Sequence, residues 1–483
     1  MPLPTWPPEL SEEQRELLCR QGTDFALSHS ILYRPLPSSS SSTPPLDAAI
    51  HAPISLFPTP FPRSLYEQGQ ALQPLYNDLY ARIAVDDTFL RRVIGGNVIL
   101  VDDFQERIWQ IWKHVKEEGA VQTLHLGLFR SDYLLHQEAD LSSLQIKQVE
   151  INTISSSFGP LCTRVSDLHR HLASSASYRG ISPLLDVGNM PLNEALATLA
   201  AGLAAGHKAY MQGRPLGDAV VLFVVQDGER NVFDQRLIEY ELLEAHGVRV
   251  QRATFKELEA GASLLGPART LWYTQPKKTT SEEVSVVYYR AGYSPADYPS
   301  EREWQTRLML ERSQAIKCPT VALQLAGAKK VQQVLSDPGV LESFVKDASR
   351  AVCGRTNRRG NNVYRENIPT ELQRLDELDS QKGFSGVKRR EGYILMKLIQ
   401  PPVNVGNYLV RSGCDLGAVL SKDVISELGI FGTVLFNEEP SAGGITVQYE
   451  RSGGHLLRTK GRESDEGGVA VGYSVIDSPL LID

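Results

Sequence analysis

Residues 219–225 read AVVLFVV, an unbroken run rich in β-branched side chains with no polar positions between them. A strand with one wet face alternates polar and apolar residues. A run without that alternation fits a strand covered on both faces, as where helices pack on either side of a parallel sheet. Outward from it, residues 233–245 carry a helical pattern, residues 248–253 read as a second strand, and residues 284–289 (VSVVYY) as a third. Strand, helix and strand in that order predict an open α/β unit with crossover connections over residues 217–319. This stretch is the expected separate domain, with residues 1–216 and 320–483 forming the other body.

The flanks differ in character. Ser11 followed by Gln14 fits a capping box opening a helix through Leu17, Leu18 and Phe25. Residues 35–62 are rich in Pro and Ser, including SSSSSTPP, and are expected as a surface loop. Residues 64–118 repeat apolar positions at helical spacing, as in Leu72, Leu75, Tyr76 and Leu79. Short strands are expected at 122–129 and 146–151, and an amphipathic helix at 191–211 with Leu192, Leu196, Leu199 and Leu203 on one face. Further on, residues 393–399, 424–432 and 433–436 read as sheet elements.

Bulk properties exclude several classes. A chain of 483 residues exceeds the size at which one core stops growing, so two or more packed units are expected. A formal net charge of −7 argues against a nucleic-acid partner held by general phosphate attraction. The five cysteines are scattered and odd in number without a CxxC, which removes zinc-site spacing and favours free thiols in a reducing compartment. The start, MPLPTWPPELSEEQ, has no secretory pattern, and no run of ~18 apolar residues spans a bilayer. A cytoplasmic protein with no membrane partner is the expectation. No GxGxxG follows a strand, which leaves a dinucleotide enzyme without support.

The chemistry-bearing residues begin at the end of the second short strand. Alternation puts Glu150 and Asn152 on one face with Ile151 turned inward. A carboxylate and an amide oxygen side by side are hard ligands suited to Mg²⁺. The hydroxyls of Thr153, Ser155, Ser156 and Ser157 follow. On pattern alone a strand ending in a Ser-rich turn is the favoured reading. Arg458 and Lys460 likewise alternate, and so share a face.

Eight motifs recur in a fixed order: residues 126–133 (LGLFRSDY), 150–159 (EINTISSSFG), 229–236 (ERNVFDQR), 287–293 (VYYRAGY), 325–333 (LAGAKKVQQ), 426–432 (SELGIFG), 455–460 (HLLRTK) and 467–470 (GGVA). Together they resemble eukaryotic-type glutathione synthetase. The resemblance implies an α/β (α+β) ATP-grasp fold with a helical N-terminal portion, a lid, and the open α/β unit inserted as the substrate-binding domain. It implies ATP-dependent ligation of γ-glutamylcysteine to glycine through an acyl phosphate, with Mg²⁺, in a cytoplasmic homodimer. Carried over by position, Arg130, Ser155, Ser157, Asn231, Gln235, Arg290, Tyr293, Arg458, Val469 and Ala470 would hold the dipeptide. Glu150, Lys329, Asn362, Tyr364, Met396, Glu427, Lys460 and Glu466 would hold ATP. Glu150 and Asn152 would hold the metal, and Arg458 would serve phosphoryl transfer. Guanidinium forks suit a carboxylate-bearing dipeptide, and amide and hydroxyl partners suit its amine and amide.

One stretch departs from the family pattern. Where the family carries a strand ending in Lys, an acidic residue and a triple-Gly loop, residues 351–364 read AVCGRTNRRGNNVY. Cys353 falls at the lysine and Asn357 at the acid, while Arg358 and Arg359 replace two glycines. A Cβ in a phosphate-cradling loop blocks close backbone approach. Two readings follow: an impaired or repurposed relative that binds the dipeptide without turnover, or a locally altered stretch of coding sequence. The abruptness of the change favours the second.

Overall fold

The structure, a computed structural model, describes residues 3–36, 45, 47–138, 143–214, 219–345, 367–380, 393–394, 396–413, 418–439, 444–463 and 474–483. Its backbone is organised by one 14-stranded sheet. The run 219–225 forms the strand Val220–Val224, buried at every position. Its side chains divide between two cores: Val221 and Phe223 enter one, Val220, Leu222 and Val224 the other. Both faces are therefore covered, as the missing alternation predicts. This strand runs parallel to Val250–Ala253 on one side and Glu282–Tyr289 on the other. The intervening helix Val232–His246 closes at Gly247 with φ 67°, a left-handed conformation that glycine adopts without a Cβ penalty.

The strand Leu124–Gln137 joins this parallel region to the rest. Near its start His125 pairs with Lys317 of Ile316–Cys318, which in turn runs parallel to Glu282–Tyr289. Its later part, residues 130–137, pairs antiparallel with Leu144–Asn152. Its other edge pairs antiparallel with Val424–Glu439, which pairs with Gly444–Gly461. Four long antiparallel strands thus lie side by side, in the order 144–152, 124–137, 424–439, 444–461. Helices Arg63–Val85 and Ala195–Met211 pack against them.

The capping box at Ser11 is present, with Gln14 N donating to Ser11 Oγ and Ser11 N to Gln14 Oε1, and opens the helix Glu12–Ser28. Four expectations are corrected. The second half of 35–62 is not a surface loop: Ile54–Ser55 lies within the main sheet between Asn407–Val410 and Val475–Asp477, and Thr59–Pro62 pairs with Pro479–Ile482. A two-residue strand between prolines needs few donors, so Pro content does not bar it. The helix expected from residue 191 starts at Ala195, leaving Leu192 70% exposed rather than on the packed face. Among the described residues of 393–399 Leu398 makes a β-bridge but no strand forms. Gln400 instead meets the end of the neighbouring strand, accepting from Gln137 N at 2.9 Å and donating its own N–H to His136 Nδ1 at 3.0 Å, before Pro401 and Pro402 remove two ladder donors. Residues 424–436, read as two elements, form the single strand Val424–Glu439.

Candidate active site

Register on the four antiparallel strands gathers the polar residues. Arg130 faces Asn152 and Asp132 faces Glu150 across one strand pair. Asp132 faces Gly429 across the next, and Glu427 faces Arg458 across the third. Because residues two apart share a face, the strands present Glu150 with Asn152, Arg130 with Asp132, Glu427 with Gly429, and Arg458 with Lys460. One antiparallel face therefore carries charge from every strand.

These charges are paired. Arg130 Nε and Nη2 donate to the two carboxylate oxygens of Asp132 at 2.6 and 2.8 Å. Arg458 donates to Glu427 and lies 3.5 Å from Asp132 Oδ2. Lys329 Nζ stands 3.1 Å from Glu150 Oε2 and donates to the Val149 carbonyl at 3.2 Å. Burial pulls both guanidiniums down, but the facing carboxylates more than offset it and hold them above their ordinary range. Burial raises the Asp132 carboxyl, while Arg130 and Arg458 draw it back. Lys329 arrives at the first turn of the helix Lys329–Leu335. Gly327 permits that approach, since a Cβ there would sit 2.2 Å from Thr153 Oγ1.

The acceptor oxygens suit a cation. Ligand atoms of Asp132, Glu150 and Glu427 lie within 4.8 Å of one another. Asn152 donates Nδ2 to Asp132 at 3.0 Å and to the Arg130 carbonyl at 3.4 Å, so its amide oxygen is the end left to offer. Carboxylate and amide oxygens are the donor set Mg²⁺ takes.

A second group adjoins the first through the Ser-rich turn. Ser155 and Phe158 hold φ of 52° and 71°, sparsely populated for residues with side chains. Asp234 secures this turn, accepting from Phe158 N at 2.9 Å and Leu161 N at 3.2 Å. Arg290 donates to the Ser156 carbonyl at 3.1 Å and to Ser157 Oγ at 2.8 Å, and Arg130 Nη1 donates to the Ser157 carbonyl at 3.0 Å. Ser155 Oγ donates to the Tyr289 carbonyl. Asn231 is buried with its Oδ1 unpartnered. Gln235 donates to Glu229 and accepts from Arg252. Tyr293, 45% exposed, sits at the rim with its hydroxyl near Gln226. Backbone strain and an orphaned buried amide oxygen concentrate where a ligand would be gripped.

Sequence reasoning thus assembled Arg130, Glu150, Asn152, Ser155, Ser157, Asn231, Gln235, Arg290, Tyr293, Lys329, Glu427, Arg458 and Lys460 in one region or beside it. Met396 is half-buried in the segment preceding Gln400. Asn362, Tyr364, Glu466, Val469 and Ala470 lie outside the described residues, as does the altered stretch 351–360. Asp132, Gly429 and Asp234 were not singled out, although each lies in a quoted motif. They contact protein groups, and residue spacing carries no signal of that.

Strand order and the charged antiparallel face place the chain in the ATP-grasp class. The profile described as eukaryotic glutathione synthase, ATP binding domain, matches residues 12–356 and 357–481, its two blocks meeting inside the altered stretch. The chain belongs to the eukaryotic glutathione synthetase family. Human glutathione synthetase is 37% identical, with 98% of each chain covered. The Dictyostelium discoideum glutathione synthetase is 33% identical over 97% of this chain and all of that one. The chloroplastic enzyme of Solanum lycopersicum is 35% identical over 92% of this chain and 80% of its own. A glutathione synthetase-like effector of Globodera pallida, solved in its apo form, shares the fold at a TM-score of 0.75 with 24% identity and 98% of both chains covered.

Proposed function

We propose that the chain ligates γ-glutamylcysteine to glycine at the expense of ATP, giving glutathione, ADP and phosphate. The supporting observation is the four-strand face on which Arg130, Arg458, Lys329, Glu150 and Asn152 converge beside the strained Ser155–Ser157 turn. Ser157, Arg290, Asn231, Gln235 and Tyr293 grip the dipeptide, with the unpartnered Asn231 amide oxygen receiving a donor from it. Lys329 and Lys460 face the ATP phosphates, with Glu427 and Met396 toward the nucleotide and Asn362, Tyr364 and Glu466 completing that site.

Glu150 and Asn152 would hold Mg²⁺, which when bound neutralises phosphate charge. Arg458 stabilises negative charge as the cysteinyl carboxylate attacks the γ-phosphorus and ADP leaves. The glycine amine then adds to the resulting acyl phosphate, phosphate departs and the amine gives up a proton, and Val469 and Ala470 are assigned to the dipeptide. No protein nucleophile takes part. Rate enhancement comes from positioning and from fixed cations in a dry cleft.

The residue 217–319 unit acts as the substrate-binding portion, and residues 1–216 with 320–483 as the catalytic body. The working form is a cytoplasmic homodimer. Buried unpaired thiols at Cys19, Cys162 and Cys318 support a reducing compartment, and among the described residues no helix is long and apolar enough to cross a membrane.

Purified chain with ATP, Mg²⁺ and γ-glutamylcysteine is expected to release phosphate only when glycine is added. Binding of the dipeptide by calorimetry without any phosphate release would contradict this reading and favour a non-catalytic binder.

A further inference from the structure

Asp132, one of the three carboxylates of the acidic cluster, meets residues of three strands on the cleft face. It is 1% exposed. Its Oδ1 accepts from Arg130 Nε at 2.6 Å. Its Oδ2 accepts from Arg130 Nη2 at 2.8 Å and Asn152 Nδ2 at 3.0 Å, and stands 3.5 Å from Arg458 Nη2. Two carboxylate oxygens offer about four lone-pair directions. Four protein donors lie around them.

The consequences fall on the neighbours. Asp132 occupies the Nε–Nη2 edge of Arg130, and the Ser157 carbonyl occupies one Nη1 hydrogen. Among the described residues this leaves one hydrogen each on Nη1 and Nη2 to grip a carboxylate. By taking the Asn152 amide nitrogen, Asp132 turns the amide oxygen outward. It also stands 3.5 Å from Arg458 Nη2, the nitrogen that donates to Glu427. One carboxylate thereby fixes the direction of three groups drawn from three strands.

The neighbouring strand carries an independent sign of the same arrangement. Gly429 lies opposite Asp132 in register. A Cβ at Gly429 would come 2.7 Å from Asp132 Oδ1 and 2.8 and 3.0 Å from Arg130 Cδ and Cγ. The strand leaves at that position the space which the ion pair fills.

We infer that Asp132 is a positioning residue for ligation, aiming Arg130, Arg458 and the Asn152 oxygen at the bound dipeptide and phosphate, with Gly429 holding room for it. The inference rests on the function proposed above. Asp132→Asn keeps the side-chain shape and removes the charge that orders two guanidiniums. It is expected to lower kcat at least 30-fold and weaken γ-glutamylcysteine at least tenfold, read both as KM and by calorimetry, while the KM for ATP moves less than twofold.

Gly429→Ala crowds the pair without touching a charge, and is expected to shift the same two quantities at least threefold in the same direction. It keeps the inference testable if Asp132→Asn fails to fold. In an Asp132→Asn/Arg458→Lys double variant, the loss in kcat is expected to fall short of the product of the single losses. Asp132→Asn with kcat and dipeptide affinity within twofold of wild type would overturn the inference. So would a parallel rise of both KM values, or a silent Gly429→Ala. The calorimetric arm needs no turnover. A wild-type chain that binds dipeptide without releasing phosphate therefore defeats the proposed function, while the loss of affinity in Asp132→Asn still judges the inference.

Discussion

The strand Gly444–Gly461 carries two kinds of buried polar chemistry a residue apart. Arg458 lies on the cleft face among ions. Thr459, the next residue, turns the other way into a seam of uncharged donors, donating to Asp477 Oδ2 at 2.7 Å. Ser55, Thr59 and the Ser478 N–H also donate to Asp477, tying strands from the two ends of the chain together. Close by, His455 meets the Tyr66 hydroxyl at 2.9 Å and Ser166 Oγ at 3.3 Å, and its backbone is bracketed by Asn193.

The seam is saturated by short hydroxyl and amide donors that no ligand can replace. On the cleft face, cations are held by carboxylates. Incoming phosphate or carboxylate can take over part of that pairing while the metal takes up the freed oxygens. The seam is therefore built for stability. The cleft face bears the desolvation cost of buried ions so that a charged substrate can be received.

The largest break in this contrast is on the cleft side. Arg458→Ala is expected to lower kcat for phosphate release by about 10³-fold, the scale for losing one preorganised charge-stabilising group. Its thermal midpoint should fall as well, because Glu427 and the buried Asp132 both lose a cation they face. An Arg458→Ala chain within tenfold of wild-type kcat would remove Arg458 from the chemistry.

Glu150→Gln is the next effect. The Mg²⁺ concentration for half-maximal rate should rise at least tenfold, about 1.4 kcal/mol of lost affinity, measured by titrating metal at fixed ATP. An unchanged requirement would place the metal elsewhere.

The smallest effect is on the seam and is read as stability. Burial pushes Asp477 up to about 6. Between its ordinary value of 3.8 and about 6, the folded chain holds a proton that the unfolded chain has released, so stability falls as pH rises through that window. The full penalty, of order 3 kcal/mol, is present above it. The buried His169 and His455 act in the opposite sense: burial lowers them to about 4 and about 3, so their contribution holds above pH ~6.5 and is lost as pH falls. Comparing wild type with Asp477→Asn isolates the carboxylate. The difference in thermal midpoint should move in favour of the variant between pH 4 and 6.5, with phosphate-release kinetics unchanged. A difference independent of pH would contradict the assignment.

How much of this was legible in sequence follows the same division. The buried strand at 219–225 announces itself because a two-sided environment removes alternation, and the crossover order follows from it. Arg130, Glu150, Asn152 and Arg458 were placed together because their motifs resemble a family's, since strand periodicity puts side chains on a face without saying which strands are neighbours. Asp132 and Gly429 escaped because their roles exist only across strands, one as an ion-pair partner and the other as a space. The strand Ile54–Ser55 was hidden by the prolines around it. Asp477 was missed because a lone acid near a chain end carries no pattern, and three of its four donors, Ser55, Thr59 and Thr459, are distant in sequence.

The central claim is that this cleft builds an amide bond by first moving a phosphoryl group onto the dipeptide. The most direct measurement uses γ-glutamylcysteine carrying ¹⁸O in its cysteinyl carboxylate, incubated with the purified chain, ATP, Mg²⁺ and glycine. Mass analysis of the released phosphate should find one ¹⁸O transferred for each glutathione formed. Phosphate released without the label, or labelled dipeptide recovered unchanged while ATP is consumed, would contradict the account.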